Sequence, residues 1–287
     1  MNDLVVKHNA LTNASYNLSL VEQRLILLAI VDARRSGHGI TANDPLTISA
    51  HDYEQQFSAH RNTAYQALRD ATANLFERRF SYQLINKKGN TERIVSRWVS
   101  KISYVDNEAI VRLVFAPDVV PLIMELERHF TQYNLEQVAE LSSPYAVRLY
   151  ELLIAWRNTD HKTLRIELVD LRNRIGVLDG EYKLMHQLKQ RVLEPAIAQI
   201  NQHTDITVKY EQHKAGRKIT GFTFKFSLKK PKTDTPAKAK KHTYTRADLN
   251  REPTLAKPGE SYEQALQRLN ARNNILGTEE EQTEIDI

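Results

Sequence analysis

The chain has 287 residues, long enough for two domains and a tail, and its 41% hydrophobic content suffices for packed cores. It contains no cysteine, which excludes disulfides and thiolate metal sites. No apolar run approaches the roughly 18 residues of a membrane span and the N-terminus lacks a signal-peptide pattern, so a cytoplasmic protein without membrane contact is expected. The net charge of +5 is a mild bias toward polyanions.

Leu4, Leu11, Leu18 and Leu25 recur at the heptad interval of a coiled-coil seam. Asn13, Ser15 and Asn17 break any helix between them, so these leucines read as core residues of a capping segment. Ser19 to Glu22 forms a capping box, which predicts a helix from Ser19 with Val21, Leu25, Leu28 and Ala29 on one face. Gly37 and Gly39 end it. Leu46 to Ile48 predicts a short strand, and Ser49 with Asp52 caps a second helix carrying Tyr53 and Phe57. A third helix starts near Asn62 or Thr63, with Ala64, Ala67, Leu68, Ala71 and Leu75 inward. That leaves Arg61, Asn62, Tyr65, Gln66 and Arg69 facing out. A hairpin from Phe80 to Tyr104 follows, turning at Lys87-Lys88-Gly89-Asn90; Asp106-Asn107 is a further turn, and Val111, Leu113 and Phe115 alternate as a strand.

A helical connector is expected from about Pro117 to Leu141. Ser143-Pro144 starts a new helix, with serine as cap and proline in the first turn, and Tyr145, Leu149, Leu152, Leu153 and Trp156 form its apolar face. Leu164 to Ile166 predicts a strand, and Val169 to Ile175 a helix stopped by Gly176. A third helix runs from about Glu181, with Met185, Leu188, Val192 and Ala196 inward; Pro195 kinks or ends it. Lys183, His186, Gln187, Gln190 and Glu194 then point outward, flanked by Lys189 and Arg191. Ile206, Val208 and Tyr210, and Phe222, Phe224, Phe226 and Leu228, alternate as a closing hairpin whose tip carries Lys214, Arg217 and Lys218.

The same order therefore occurs twice: helix, strand and second helix, third helix, hairpin with a basic tip. That order is the winged helix, whose third helix fits a DNA major groove while a cationic tip sits on neighbouring phosphates. The expected fold class is α+β, tandem winged-helix domains with a disordered C-terminal tail. The expected boundaries are 1–140 for the first domain with its connector, 141–228 for the second, and 229–287 for the tail. Lys229 to Lys241 holds six lysines and two prolines, a linker composition. A short amphipathic helix is expected around Ser261 to Leu269, ahead of an acidic end.

Enzymatic readings find little support. Gly216 to Thr223 imitates phosphate-loop spacing, but Phe222 stands where lysine is needed and the segment leads into a strand. No histidine has another two residues away, as a strand-nicking metal site would need. Asp106 and Glu108 read as a solvated turn rather than a metal site. No catalysis, cofactor or metal is expected.

Val5 to Leu11, Leu18 to Leu25, Ser143 to Leu153, and Tyr182 through Asn201, Tyr210 and Gly216-Arg217 together resemble the initiator Rep proteins of iteron-containing, theta-replicating plasmids. The resemblance covers about residues 5 to 228. It implies tandem winged helices that contact double-stranded DNA, a monomer that binds direct repeats (iterons) at the origin, helps open the duplex and recruits host replication proteins such as the initiator and helicase. It also implies a dimer, formed through the first domain, that represses its own gene at an inverted repeat. Base contacts carry over to Lys183, Lys189 and Gln190, where relatives have arginines in that segment. A tandem winged-helix repressor without initiator activity is the alternative reading, and a nickase the more distant one.

Overall fold

The computed structural model describes residues 3–41, 43–124, 129–159, 162–229, 245, 261 and 263–270, with backbone alone at 61–63. Residues 1–229 form one compact unit and 230–287 a second. Strand β1 (Leu4–His8), a single turn α1 (Asn9–Thr12) and β2 (Ser15–Tyr16) precede α2 (Leu20–Ser36). Three of the four heptad leucines, Leu11, Leu18 and Leu25, are buried in the core; a β-strand at Leu4 rules out a zipper. The expected capping box at Ser19 and Glu22 is present in full, and Gly37 ends α2 in the left-handed region (φ +75°). Then come β3 (Leu46–Ser49), α3 (Ala50–Phe57), again boxed by Ser49 and Asp52, and α4 (Arg61–Leu75).

The first hairpin differs from expectation. It is two strands, β4 (Arg79–Ile85) and β5 (Thr91–Arg97), and the next strand β6 (Val99–Val105) leaves them to pair with β7 (Ile110–Phe115). The sheets are β2-β4-β5 and β3-β7-β6, all antiparallel. Trp98 marks the division: it is fully buried, and its ring lies 4.8 Å from Phe80 and 4.9 Å from Tyr16. Burying so large a ring forces the chain inward between the two sheets.

The connector is not a helix throughout. It is α5 (Val120–Ile123), strand β8 (Phe130–Asn134) and α6 (Glu136–Ala139). Thr131 and Tyr133 are buried and their neighbours are not, a two-residue alternation that favours a strand, and β8 pairs with β1 along its length.

The second repeat follows its expected order. It comprises α7 (Pro144–Ile154), β9 (Thr163–Glu167), α8 (Leu168–Ile175), α9 (Met185–Leu188), a π turn (Lys189–Leu193), α10 (Glu194–His203), β10 (Ile206–Ala215) and β11 (Lys218–Leu228). Its sheet order is β10-β11-β9. Ser143 takes the cap position of α7 and Pro144 its first turn, but the Ser143 hydroxyl makes no cap bond. Trp156 lies beyond the helix end and is 42% exposed rather than part of its apolar face. In the second unit a helix spans residues 263–270, with Ser261 and Gln264 bonding each other's backbone as a capping box. Most of the tail, including its acidic end, lies outside the described residues. Among the described residues no helix is long and apolar enough to cross a membrane.

The two repeats meet at a buried charged seam. Glu151 on α7 accepts from Lys7 of β1, from Arg148 at 2.5 Å, from Tyr133 of β8 at 2.5 Å and from Tyr16 of β2 at 3.4 Å. Arg148 also donates to the carbonyls of Thr12 and Ala14, each at 2.9 Å, and of Arg174 at 3.0 Å, and its guanidinium lies 4.0 Å from the Tyr16 ring centre. Lys7, Arg148 and Glu151 are essentially inaccessible to water. Burial works to raise the Glu151 carboxyl, but Lys7 and Arg148 outweigh it and bring the group down to about 2. The N-terminal segment is thus clamped to the second repeat, and Gly176 tightens the clamp: a Cβ there would meet the Tyr16 carbonyl at 2.7 Å.

Candidate nucleic-acid interface

In the second domain, α8 ends at Gly176 (φ +86°), and the turn that follows is held by Arg172, which donates to the carbonyls of Glu181 at 2.6 Å and Tyr182 at 3.2 Å. That turn delays the third helix. It begins at Met185 rather than near Glu181, because Tyr182 sits at φ +40° and Leu184 is still extended. Lys183 is therefore exposed on the turn before the helix and not on its face.

Pro195 neither ends nor sharply interrupts this helix. Proline has no N–H to give the carbonyl four residues back, and its ring crowds that carbonyl. The chain responds by widening one turn: the Glu194 N–H donates to the Lys189 carbonyl, five residues back. Within the widened turn, residues five apart share a face, and Leu188 and Leu193 are both buried. His186, Gln190 and Arg191 are exposed along the opposite side, with Gln187 half-buried. Lys189, also half-buried, donates its ammonium to Gln212 of β10. Gln212 is a contact that sequence reasoning missed. Nothing in the alternation of β10 marks it beyond its being a polar residue on the sheet.

The β10–β11 hairpin occupies the wing position. Its register shifts between His213 and Lys214, and its tip turns at Gly216 (φ +62°), leaving Lys214, Arg217 and Lys218 exposed together. His213 lies 2.6 Å from the Thr223 hydroxyl across the ladder. Helix face and cationic tip are thus presented by adjacent elements.

The first domain is built alike but charged differently. On α4, Ala64, Leu68, Ala71 and Leu75 are buried and Ala67 half-buried. Gln66 and Arg69 are exposed, while the side chains of Arg61 and Asn62 lie outside the described residues. The strand order β3-β7-β6 places the β6–β7 hairpin where β10–β11 stands in the second domain. Its turn is Asp106-Asn107-Glu108, not a basic tip. Tyr65 donates to the Asp106 carbonyl, the Arg69 guanidinium lies 3.6 Å from the Asp106 carboxylate, and Gln66 donates to Asp70 at 2.9 Å. Lys87 and Lys88 are exposed at the β4–β5 turn, ordered by Asn86, whose side chain accepts from the backbone of Lys88 at 2.9 Å and Asn90 at 3.0 Å. The basic tip of the first domain therefore belongs to an extra hairpin, not to its wing.

Comparison with known proteins agrees with this architecture. Residues 4–154 match the family model described as initiator replication protein, WH1, and residues 167–226 match that described as initiator Rep protein, WH2. An uncharacterized 27.6 kDa protein of Escherichia coli is 26% identical over 227 residues, 74% of this chain and 91% of that protein. The crystal structure of the Pi initiator protein in complex with iteron DNA is similar at a TM-score of 0.64 and 22% identity, covering 80% of this chain and 98% of its own. The WH1 domain of MSBI1.176, a replication protein isolated from a multiple sclerosis patient, is 62% identical over 44% of this chain and 95% of its own, with a TM-score of 0.35. Both halves of the described architecture are matched in order, and the chain belongs to the initiator replication protein family.

Proposed function

We propose that this chain is a plasmid replication initiator that binds direct repeats at its origin as a monomer, helps open the adjacent duplex and recruits host replication proteins. The observation that carries the reading is the pairing, in the second domain, of an exposed polar helix face with a wing bearing Lys214, Arg217 and Lys218. The likeness to an initiator solved with iteron DNA supports the same assignment. Residues 141–228 would read the repeat, His186, Gln187 and Gln190 toward base edges, with Arg191, Lys183 and the wing cations on phosphates. Glutamine suits adenine better than guanine, so adenine is the base expected opposite Gln190. Lys189 has its ammonium held by Gln212 of the wing strand rather than free to search. Residues 1–140 would contribute further DNA contact through α4 and self-association, and 229–287 a tail of unassigned role. The test is a plasmid carrying only this gene and its flanking DNA: persistence in a suitable host supports an initiator, whereas binding and repression without persistence leave a tandem winged-helix repressor.

Dimerisation needs an exposed surface in the first domain. Helix α2 and strand β7 lie in the core: Leu25, Ile26, Leu27 and Ile30, and Val111, Leu113 and Phe115, are all buried. Strand β5 instead ends its sheet, and Ile85 and Val95 on that hairpin are 69% and 65% exposed, with Leu84 beside them. We assign the dimer to this edge, and the repressing form to that dimer. Sedimentation of the full chain checks this: Val95→Lys with Ile85→Lys should shift it to monomer while leaving repeat binding in place. The full chain is required, since a fragment ending at residue 140 would leave Lys7 buried without Glu151.

A further inference from the structure

The β6–β7 turn is acidic where the matching turn of the second domain is basic. Asp106 and Glu108 stand at its tip, closed by Ala109 in the left-handed region (φ +54°), and Arg112 reaches Glu108 at 3.4 Å. Asp106 engages two of the outward residues of α4 together, Tyr65 through its carbonyl and Arg69 through its carboxylate. The pair with Arg69 is water-exposed, 57% for Arg69 and 63% for Asp106, so solvent weakens it and a phosphate could compete for the arginine.

We propose that the Asp106–Glu108 turn is a selectivity element: its carboxylates repel the DNA backbone at the first domain's wing position, the Asp106 carboxylate occupies Arg69 and the Asp106 carbonyl occupies Tyr65, leaving sequence discrimination to the second domain. This rests on the DNA binding proposed above. The physical reason lies in how sequence-independent affinity arises. It grows with the number of phosphates neutralised by cations, whatever the bases. Two cationic wings on one chain would raise binding to every duplex, cognate or not, and so would not improve the ratio between them. An acidic turn penalises the complexes in which the first domain leads, which lack the second domain's base contacts and make up much of the binding to a scrambled duplex, and it bears less on the complex whose register those base contacts set.

The test uses the full chain with Asp106→Asn and Glu108→Gln combined. Asparagine keeps the backbone carbonyl that Tyr65 bonds and suits a turn, so the hairpin is retained. Two probes are used: a duplex selected by the wild-type chain from a random-sequence pool, and a scrambled duplex of the same composition, each titrated at several salt concentrations. The variant should bind the scrambled duplex about threefold to tenfold more tightly, with a salt slope steeper by up to about two units as Arg69 and Arg112 are released to phosphates, and its selected-to-scrambled ratio should fall. Adding Arg69→Ala with Arg112→Ala should abolish the steeper slope. Asp118→Asn with Glu136→Gln makes the same change in net charge at exposed positions off the wing and should alter neither probe's affinity. If the wing variant keeps wild-type affinity and slope, or the off-wing control gains as much, the selectivity element is wrong while DNA binding stands. If the wild-type chain selects no sequence and shows no salt-sensitive affinity, the DNA-binding reading fails and the selectivity element falls with it.

Discussion

The two winged helices share an element order and differ in what surrounds the third helix. In the second domain the helix runs on through a π turn, Lys189 on its flank bonds Gln212 of the wing strand and not the tip, and that tip is cationic. In the first, the corresponding tip is acidic and bonds Tyr65 and Arg69, and the basic tip lies on an added hairpin in another sheet. Repetition of a fold therefore does not repeat an interface: the backbone sets where a helix and a wing lie, while a few turn residues decide whether that surface attracts a polyanion. The difference also separates two kinds of ion pair. Those on the first wing are exposed and worth under about 1 kcal/mol, whereas the two at the seam are buried and share one carboxylate, that of Glu151.

The largest effect should come from that seam, which joins the first domain's N-terminal segment to α7 of the second. Glu151→Ala leaves Lys7 and Arg148 buried without their shared carboxylate, and we expect a loss of about 3 to 5 kcal/mol in unfolding free energy, measured by denaturant titration. The acid limb gives an independent reading. Glu151 titrates lower in the folded chain than its ordinary 4.5, so its contribution is complete above about 4.5 and is lost as pH falls toward 2. A Glu151→Gln chain should lack that part of the pH dependence; an unchanged acid limb would show that the carboxylate is not the group holding the seam.

Next in size are the second domain's contacts. Neutralising Lys214, Arg217 and Lys218 together should flatten the salt slope by about two to three units, slightly under one for each phosphate left without its cation. Gln190→Ala should weaken binding to the selected duplex by about 1 to 3 kcal/mol and affect a scrambled one less, whereas Lys183→Ala, on the turn ahead of the helix, should weaken both alike. Equal losses on both duplexes for Gln190→Ala would move it to the phosphate class and narrow the contrast between the two helices.

Much of this was legible in the residues. Caps gave the starts of α2 and α3 and glycines the stops of α2 and α8, and strict alternation gave β7, β10 and β11, because these are local signals. What escaped depends on distant partners. Strand β8 is a strand because β1 pairs with it from the far end of the chain, and β4, β5 and β6 divide between two sheets because Trp98 is buried between them. Lys7, Arg148 and Glu151 would each be taken for surface charge in isolation; only the fold brings them together. Pro195 was visible as a perturbation, but whether a proline ends a helix or widens it depends on the packing of Leu188 and Leu193, which no local pattern shows. The candidate DNA-facing residues divide along the same line. The wing cations of the second domain follow from a hairpin turn, while the pairing of Arg69 with Asp106 needed the third dimension.

The smallest effect is expected at Lys87 and Lys88. Both are exposed, and a reading from sequence places them on a wing beside the DNA backbone. Their hairpin, however, is paired through β4 to β2 and not to the β3-β7-β6 sheet against which α4 is set, so its tip does not occupy the wing position beside that helix. Phosphate contacts act only within touching distance plus a short screened range, about 8 Å at physiological salt. Lys87→Ala with Lys88→Ala should therefore change affinity by less than about twofold and leave the salt slope within a few tenths of wild type, against the two to three units expected for the second domain's tip. Titration of both triple and double variants on the same duplex makes the comparison direct. A flattening at Lys87 and Lys88 approaching one unit per residue would mean that the added hairpin reaches the backbone after all, giving the first domain a cationic contact displaced from its wing.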